Sequence, residues 1–97
     1  MPEAKFYHIH IIPNEGVTKK DIQKKIELSL DWFKYGKSVW IIYSNSDVKK
    51  LWVRYKPLIT PGGNLFICEL NVNNRNGWMN KAFWNWLQKP RKPYLGE

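Results

Sequence analysis

Residues 31–44 read Asp31-Trp-Phe-Lys-Tyr-Gly-Lys-Ser-Val-Trp-Ile-Ile-Tyr-Ser44. A helical pattern ends just before this stretch, and Gly36-Lys37 is a turn signal between two runs rich in aromatic and β-branched residues. The stretch therefore predicts a β-hairpin with strands at Trp32–Tyr35 and Ser38–Ser44, entered directly from a helix. The second of these strands is almost wholly apolar, which is typical of a central strand of a sheet.

The segments on either side of the hairpin complete a recognisable order of elements. They are a strand at Phe6–Ile12, a helix at Thr18–Leu30, a helix that Ser46 and Asp47 cap and Pro57 ends, a strand at Asn64–Leu70 and a helix at Trp78–Gln88. Thr18 is a good N-cap, and proline lacks the N–H that would continue a helix. The order predicts an α+β, ferredoxin-like βαββαβ domain. We expect a four-stranded antiparallel sheet with two helices on one face, plus a C-terminal helix.

Apolar spacing predicts which faces of the last two helices are buried. The predicted core residues are Val48, Leu51, Trp52 and Tyr55 in the second helix, and Met79, Ala82, Phe83, Trp86 and Leu87 in the third. Trp84 falls off the stripe of the third helix, and Trp78 opens that helix. Both indoles could stack on nucleic-acid bases, although a role in packing or at an interface is the more common one.

Basic residues outnumber acidic residues by two to one. The chain has 16 Lys+Arg and 8 Asp+Glu, a formal net charge of +8 and a sequence pI near 9.7. In a small domain this balance favours a polyanion partner, most often RNA or DNA, although a solvated basic surface produces the same numbers. A membrane surface is disfavoured, because no predicted helix pairs a basic face with a fully exposed apolar one.

The basic residues that could contact nucleic acid fall into three groups. They are Lys49, Lys50 and Arg54 in the second helix, Arg75 in the loop Asn71–Gly77, and Lys89, Arg91 and Lys92 in a basic tail at residues 89–97. On a helix, a solvated charged face is the simpler interpretation. The tail is more suggestive, because extended basic arms commonly grip phosphates. Arg75 could contact a phosphate or a base.

Length and cysteine content bound the remaining possibilities. The 97 residues form a single domain, and the one cysteine, Cys68, excludes an internal disulfide. With no signal peptide evident and no apolar run near the ~20 residues that cross a bilayer, we expect a cytoplasmic protein.

Six Trp, five Tyr and four Phe are a heavy aromatic load, which favours a homodimer because aromatic residues concentrate in interface cores.

Several segments from the hairpin to the third helix, about half of the chain, together resemble a known group of proteins. They are Trp32-Phe33, Ser38-Val39-Trp40-Ile41-Ile42, Arg54-Tyr55-Lys56-Pro57-Leu58, Asn64-Leu65-Phe66-Ile67-Cys68-Glu69-Leu70, Asn76-Gly77-Trp78 and Trp86-Leu87. In this order they resemble the small ferredoxin-like SinR-like bacterial proteins, which are similar in fold to the CRISPR-associated adaptation endonuclease-like family. The resemblance implies a homodimer, contact with nucleic acid and, in the endonuclease-like family, metal-dependent nuclease activity.

That nuclease activity rests on an Asp at the end of strand one, and this chain departs from the pattern. The region reads His10-Ile11-Ile12-Pro13-Asn14-Glu15, without an Asp. Asn14 carries no charge, and Mg²⁺ prefers carboxylate oxygens. The sequence therefore predicts a protein without catalytic activity and without a cofactor.

The remaining candidates for chemistry are His8, His10 and Glu15. The two histidines lie on the same face of strand one, and they could bind a metal with Cys68 if strands one and four pair in register. Zinc sites usually need three or four protein ligands, so we predict no metal site. Histidines that line the open sheet face or a dimer seam are the simpler interpretation, with acid–base catalysis as an alternative.

Taken from the sequence, the leading hypothesis is a non-catalytic nucleic-acid-binding homodimer, for which a phage or defence system is one setting. Two alternatives stay open. One is a metal-dependent ribonuclease or nuclease. The other is a protein-interaction subunit whose positive charge meets an acidic partner.

Overall fold

The structure, a computed structural model, describes residues 3–91. Its elements are β1 (Lys5–Ile12), α1 (Lys19–Ile26), β2 (Asp31–Gly36), β3 (Val39–Ser44), α2 (Val48–Ile59), β4 (Asn64–Leu70) and α3 (Lys81–Gln88). The strands form one antiparallel sheet in the order β2-β3-β1-β4. The predicted ferredoxin-like βαββαβ fold with an additional C-terminal helix is confirmed. None of the helices within residues 3–91 combines the length and apolar character that a bilayer span requires.

One face of the sheet packs against α1 and α2. Alternation along β1 buries Tyr7, Ile9 and Ile11 on this side, because successive side chains of a strand point to opposite faces. Ile22 and Ile26 of α1 meet them, as do several apolar residues of α2. The N-cap predicted at Thr18 is present and forms a capping box: its hydroxyl accepts from the N–H of Asp21, and the Asp21 carboxylate accepts from the N–H of Thr18.

The opposite face, which we call the open face, carries Phe6, His8 and His10 of β1 and is only partly covered. Helix α3 packs here, with Phe83 and Leu87 buried against Ile41 of β3. Strand β3 is therefore covered on both sides, since its neighbouring residues Trp40 and Ile42 face α1 and α2. This explains why its sequence is apolar throughout.

Two of the four residues predicted to form the core stripe of α2 are exposed. Leu51 and Tyr55 are fully buried, but Val48 and Trp52 are 44% and 43% exposed. The buried stripe continues instead to Leu58 and Ile59. The spacing i, i+3, i+4, i+7 fits two neighbouring stripes of this helix, and only the docking angle on the sheet selects one of them.

The ends of all three helices also differ from the prediction. Helix α1 ends at Ile26 rather than Leu30, because the N–H of Leu30 bonds to the carbonyl of Tyr43 and draws the chain into the sheet. Helix α2 continues through Pro57 to Ile59, where burial of the last two apolar residues holds a turn that proline weakens. Helix α3 begins at Lys81, three residues after Trp78.

Candidate nucleic-acid interface

The loop that connects β4 to α3 is folded by its own asparagines. The Asn71 side chain accepts a hydrogen bond from the N–H of Asn73 at 3.2 Å. The backbone carbonyl of Asn71 accepts from the N–H of Asn74 at 3.1 Å. The Asn76 side chain accepts from the N–H of Gly77 at 2.8 Å. The Asn71 side-chain bond, to the backbone two residues on, is a common use of asparagine in turns. The loop therefore has a defined course across the open face.

Asn80 decides where α3 begins and leaves Trp78 outside the helix. Its side chain accepts from the N–H of Phe83 at 2.9 Å, which is an N-cap contact. Trp78 precedes this cap and is 99% exposed, more than any other large apolar side chain among the described residues. The prediction that Trp78 opens α3 is wrong, and its indole is presented to solvent.

Between the loop and α3 lies a pocket of about 310 Å³, which we call the loop pocket. Tyr35, Ile41 and Phe83 line its sheet and helix side, and Trp78 and Trp84 lie on its loop side. The ring of Phe83 contacts Tyr35 and Trp84, with centroids 5.9 and 5.2 Å apart. Trp84 packs against the apolar cluster of α3, which is the more common role expected for it, whereas Ala82 is exposed, contrary to the predicted stripe. The pocket is therefore aromatic on two sides.

Polar groups line the loop side of this pocket. Arg75 donates to the carbonyl of Val72 at 2.8 Å, and its guanidinium lies 5.8 Å from the centroid of the Trp84 ring. Asn74 and Asn76 line the same pocket and are exposed. The arrangement offers a cation, side-chain amides and aromatic rings at one concave site.

A row of three rings continues from the pocket across the open face. Tyr35 of β2 reaches over β3, and its hydroxyl is 2.8 Å from Nδ1 of His8. The ring centroid of His8 is 6.2 Å from that of Phe66, which is 58% exposed on β4. Burial, and then the neighbouring His10, lower the pKa of His8, and burial raises the pKa of Tyr35. Both groups are consequently uncharged at neutral pH.

Comparison of the chain with family models, curated proteins and solved structures finds no match. The resemblance to the SinR-like proteins therefore stays a prediction.

The residues considered for catalysis and metal binding lie in different places. His8 and Cys68 are register partners of β1 and β4, as a shared site would require. Even so, no three His, Cys, Asp or Glu residues within 3–91 form a group that could hold a metal ion. Asn14 accepts from the N–H of Gly62 at 2.9 Å and ties the loop after β1 to the turn before β4. Glu15 is exposed in that same loop.

The predicted basic residues do not form one surface. Lys49, Lys50 and Arg54 lie on α2, on the far side of the sheet from Arg75. Lys49 and Lys50 are exposed, whereas Arg54 is half-buried and donates to the hydroxyl of Ser46 at 3.2 Å. Lys89 lies 3.2 Å from the carboxylate of Asp31, and Lys92 lies outside the described residues.

Arg91 is packed into the protein rather than extended as an arm. Its side chain is only 6% exposed, and its guanidinium lies 3.3 Å from Asp31. It donates to the carbonyls of Trp86 at 2.8 Å and Lys89 at 3.0 Å, which caps the end of α3. The guanidinium also lies 4.6–5.1 Å from the ring centroids of Trp86, Phe6 and Tyr43. We therefore leave Arg91 out of the proposed interface.

Sequence reasoning found Arg75, Trp78 and Trp84 but missed the sheet residues that complete the site. Tyr35 and Phe66 come from β2 and β4, the two edge strands, and only the strand order places them on the same face as His8. Because side chains alternate between the two faces of β2, the sequence could have placed Tyr35 on the open face. Nothing local to Phe66 distinguishes it from a core residue.

Proposed function

We propose that this protein binds single-stranded nucleic acid, RNA or DNA, through the loop pocket and the ring row of the open face. It acts without catalysis and as a homodimer. The observation that carries the proposal is Trp78, a fully exposed indole beside an aromatic pocket that also holds Arg75. Exposing an indole to water is unfavourable unless a partner covers it.

Unpaired bases suit this site for physical reasons. Every base has a π-face that stacks on an aromatic ring, and stacking is worth ~1–3 kcal/mol per base. The amides of Asn74 and Asn76 can donate to and accept from base edges, while Arg75 can meet a phosphate. Bases inside a duplex cannot reach a concave pocket without leaving their stack, which favours a single strand. The net charge of +8 adds a general attraction for the backbone.

The test is a binding panel of single-stranded and duplex RNA and DNA, run with and without Mg²⁺. We expect the single strands to bind more tightly than the duplexes and all substrates to stay intact. Equal or tighter duplex binding would contradict the proposed mode. Cleavage that depends on Mg²⁺ would instead favour the metal-dependent nuclease, and absence of any binding would favour an acidic protein partner.

Replacing Trp78 with Ala should lower the affinity for a single-stranded oligonucleotide about five- to 150-fold, the equivalent of one lost stacking contact. Because the Trp78 side chain is fully exposed, its replacement should not affect the fold. Leu28→Ala is the control, because Leu28 is also exposed but follows α1 and lines neither the loop pocket nor the ring row. Fluorescence anisotropy measures both. An equal loss in the two variants, or no loss in either, would overturn the assignment of the loop pocket.

The homodimer is proposed from the unequal protection of the two sheet edges. At one edge, β2 carries Lys34 and a register irregularity between Lys34 and Gly36, which discourages pairing with another chain. At the other, β4 runs for seven residues without Lys or Pro and pairs only with β1 within residues 3–91. Beside it lies an apolar groove of about 450 Å³ whose lining includes Trp52 and Val53. We propose that a second copy of the chain covers this edge.

Val53→Lys should convert the dimer to a monomer. Val53 is 69% exposed, so a lysine there leaves the monomer fold intact but places a charge in the apolar groove. Sedimentation equilibrium should give twice the chain mass of 11.6 kDa for the unaltered protein and the single mass for the variant. Lys50→Ala, on the same helix but outside the groove, should stay dimeric. A monomeric unaltered protein would contradict the proposal.

A further inference from the structure

We propose that a second site, on the helix-covered side of the sheet, binds a phosphate group. Four lysines line a cleft of about 420 Å³ between the start of α1 and the β2–β3 turn, and we call this the lysine cleft. They are Lys19, Lys20, Lys34 and Lys37. None of them belongs to the basic groups that the sequence singled out for nucleic acid, and the site is independent of the loop pocket.

The fold brings these lysines together from two distant segments. Lys19 and Lys20 open α1, while Lys34 lies on β2 and Lys37 lies in the turn that joins β2 to β3. Within residues 3–91, the side chains that line the cleft include no carboxylate. The carboxylate next to Lys20 in sequence, Asp21, is occupied by its reciprocal capping bonds with Thr18. The cleft is thus a concentration of positive charge that an anion would relieve.

Trp40 lines the cleft, and its own donor is buried and unused by the fold. The residue is only 4% exposed, and its indole Nε1–H has no hydrogen-bond partner within the described residues. A buried donor without a partner is costly, and most such groups in proteins are satisfied. The ammonium of Lys34 lies 5.1 Å from the centroid of the Trp40 ring. A phosphate that met the Lys34 charge would therefore lie close to the Trp40 ring, although the indole Nε1 itself is buried from solvent.

The chemistry favours phosphate over a carboxylate ligand. A phosphate group offers several strong acceptor oxygens and more than one negative charge, which suits several ammonium groups at one site. Two sources carry this group: the backbone of a bound nucleic-acid strand, or a free polyphosphate. The same cleft chemistry recognises both.

The experiment titrates inorganic pyrophosphate into ¹⁵N-labelled protein and follows the indole N–H resonance of Trp40, assigned by its loss in Trp40→Phe. We expect this resonance to shift, because an anion bound at Lys34 places its charge beside the Trp40 ring. The double variant Lys34→Gln/Lys37→Gln should bind pyrophosphate about tenfold or more weakly, because each charged hydrogen bond is worth ~1.5–3 kcal/mol. Lys49→Gln/Lys50→Gln, which removes the same charge from α2, should bind normally.

An unmoved Trp40 resonance, or equal weakening in the two double variants, would overturn the proposal. A competing single-stranded oligonucleotide separates the two sources: displacement of pyrophosphate identifies a strand backbone, and simultaneous binding identifies a free polyphosphate. The outcome is separate from that at the loop pocket, because Trp78→Ala should leave pyrophosphate binding unchanged.

Discussion

Leu51→Ala is expected to lower the free energy of unfolding by about 2–5 kcal/mol, whereas Trp52→Ala lowers it by only about 1 kcal/mol. The two residues are neighbours on α2, and the larger side chain has the smaller effect. Leu51 is fully buried among residues of β1 and α1, so its truncation leaves a cavity. Trp52 is 43% exposed, and its ring centroid lies 6.0 Å from the ammonium of Lys56, an exposed cation–π contact of ~0.5–1 kcal/mol.

Thermal or urea unfolding of the two variants measures this difference directly. In a domain of this size 1 kcal/mol shifts the melting temperature by roughly 4–8 °C, so the two variants should be well separated. Lys50→Ala, at an exposed site of the same helix outside the apolar groove, is the control for changing an exposed residue. A Trp52 variant as unstable as the Leu51 variant would restore the core stripe expected from spacing alone. It would also contradict the docking of α2 described above.

Asp31→Asn is expected to cost about 1.5–3 kcal/mol of stability at neutral pH, the range for a lost charged hydrogen bond, because the Asp31 side chain is 22% exposed and the ion pair is only partly buried. The Arg91 guanidinium that faces Asp31 is 6% exposed, so the variant leaves a positive charge buried without its counter-charge. Arg91 also holds the last carbonyls of α3, and the loss should therefore loosen that helix from the open face. Asp47→Asn, at the exposed cap of α2, is the matched control and should cost little.

The pH dependence of this loss has a defined sign. Burial on its own raises the pKa of Asp31, but hydrogen bonds from the Trp32 N–H and the Lys89 ammonium help to bring it below its ordinary value. A carboxyl whose pKa is lower in the folded state stabilises that state above the unfolded pKa, near 3.9, and loses the effect as the pH falls through the folded value. The unaltered protein and Asp31→Asn should therefore converge in stability in acid.

Urea unfolding at neutral pH and at a series of pH values below 4 tests both parts. A loss under 1 kcal/mol at neutral pH would show that Arg91 is not held by this carboxylate. A difference that stays constant down to low pH would show that the loss comes from packing rather than charge. Trp78→Ala, placed at the exposed loop pocket, should show neither effect.

The sequence determined by itself the features that depend on neighbouring residues. Alternation in β1 separated Tyr7, Ile9 and Ile11 from the two histidines, and the structure places them on opposite faces. The Thr18 cap and the extent of β4 also follow from local patterns, and both are confirmed. The order of elements was then sufficient for the fold class, because few chain connections satisfy the handedness of strand crossovers.

Only the tertiary structure decided which groups meet. Helix periodicity could not choose between Leu51 and Trp52, since both lie on stripes of the same helix and the sheet selects one. Arg91 looked like a free arm because its partner Asp31 is sixty residues away along the chain. The loop pocket and the lysine cleft likewise join residues from distant segments. Long-range packing brings these groups together, and a local pattern of charge or hydrophobicity does not indicate which distant residue each group will contact.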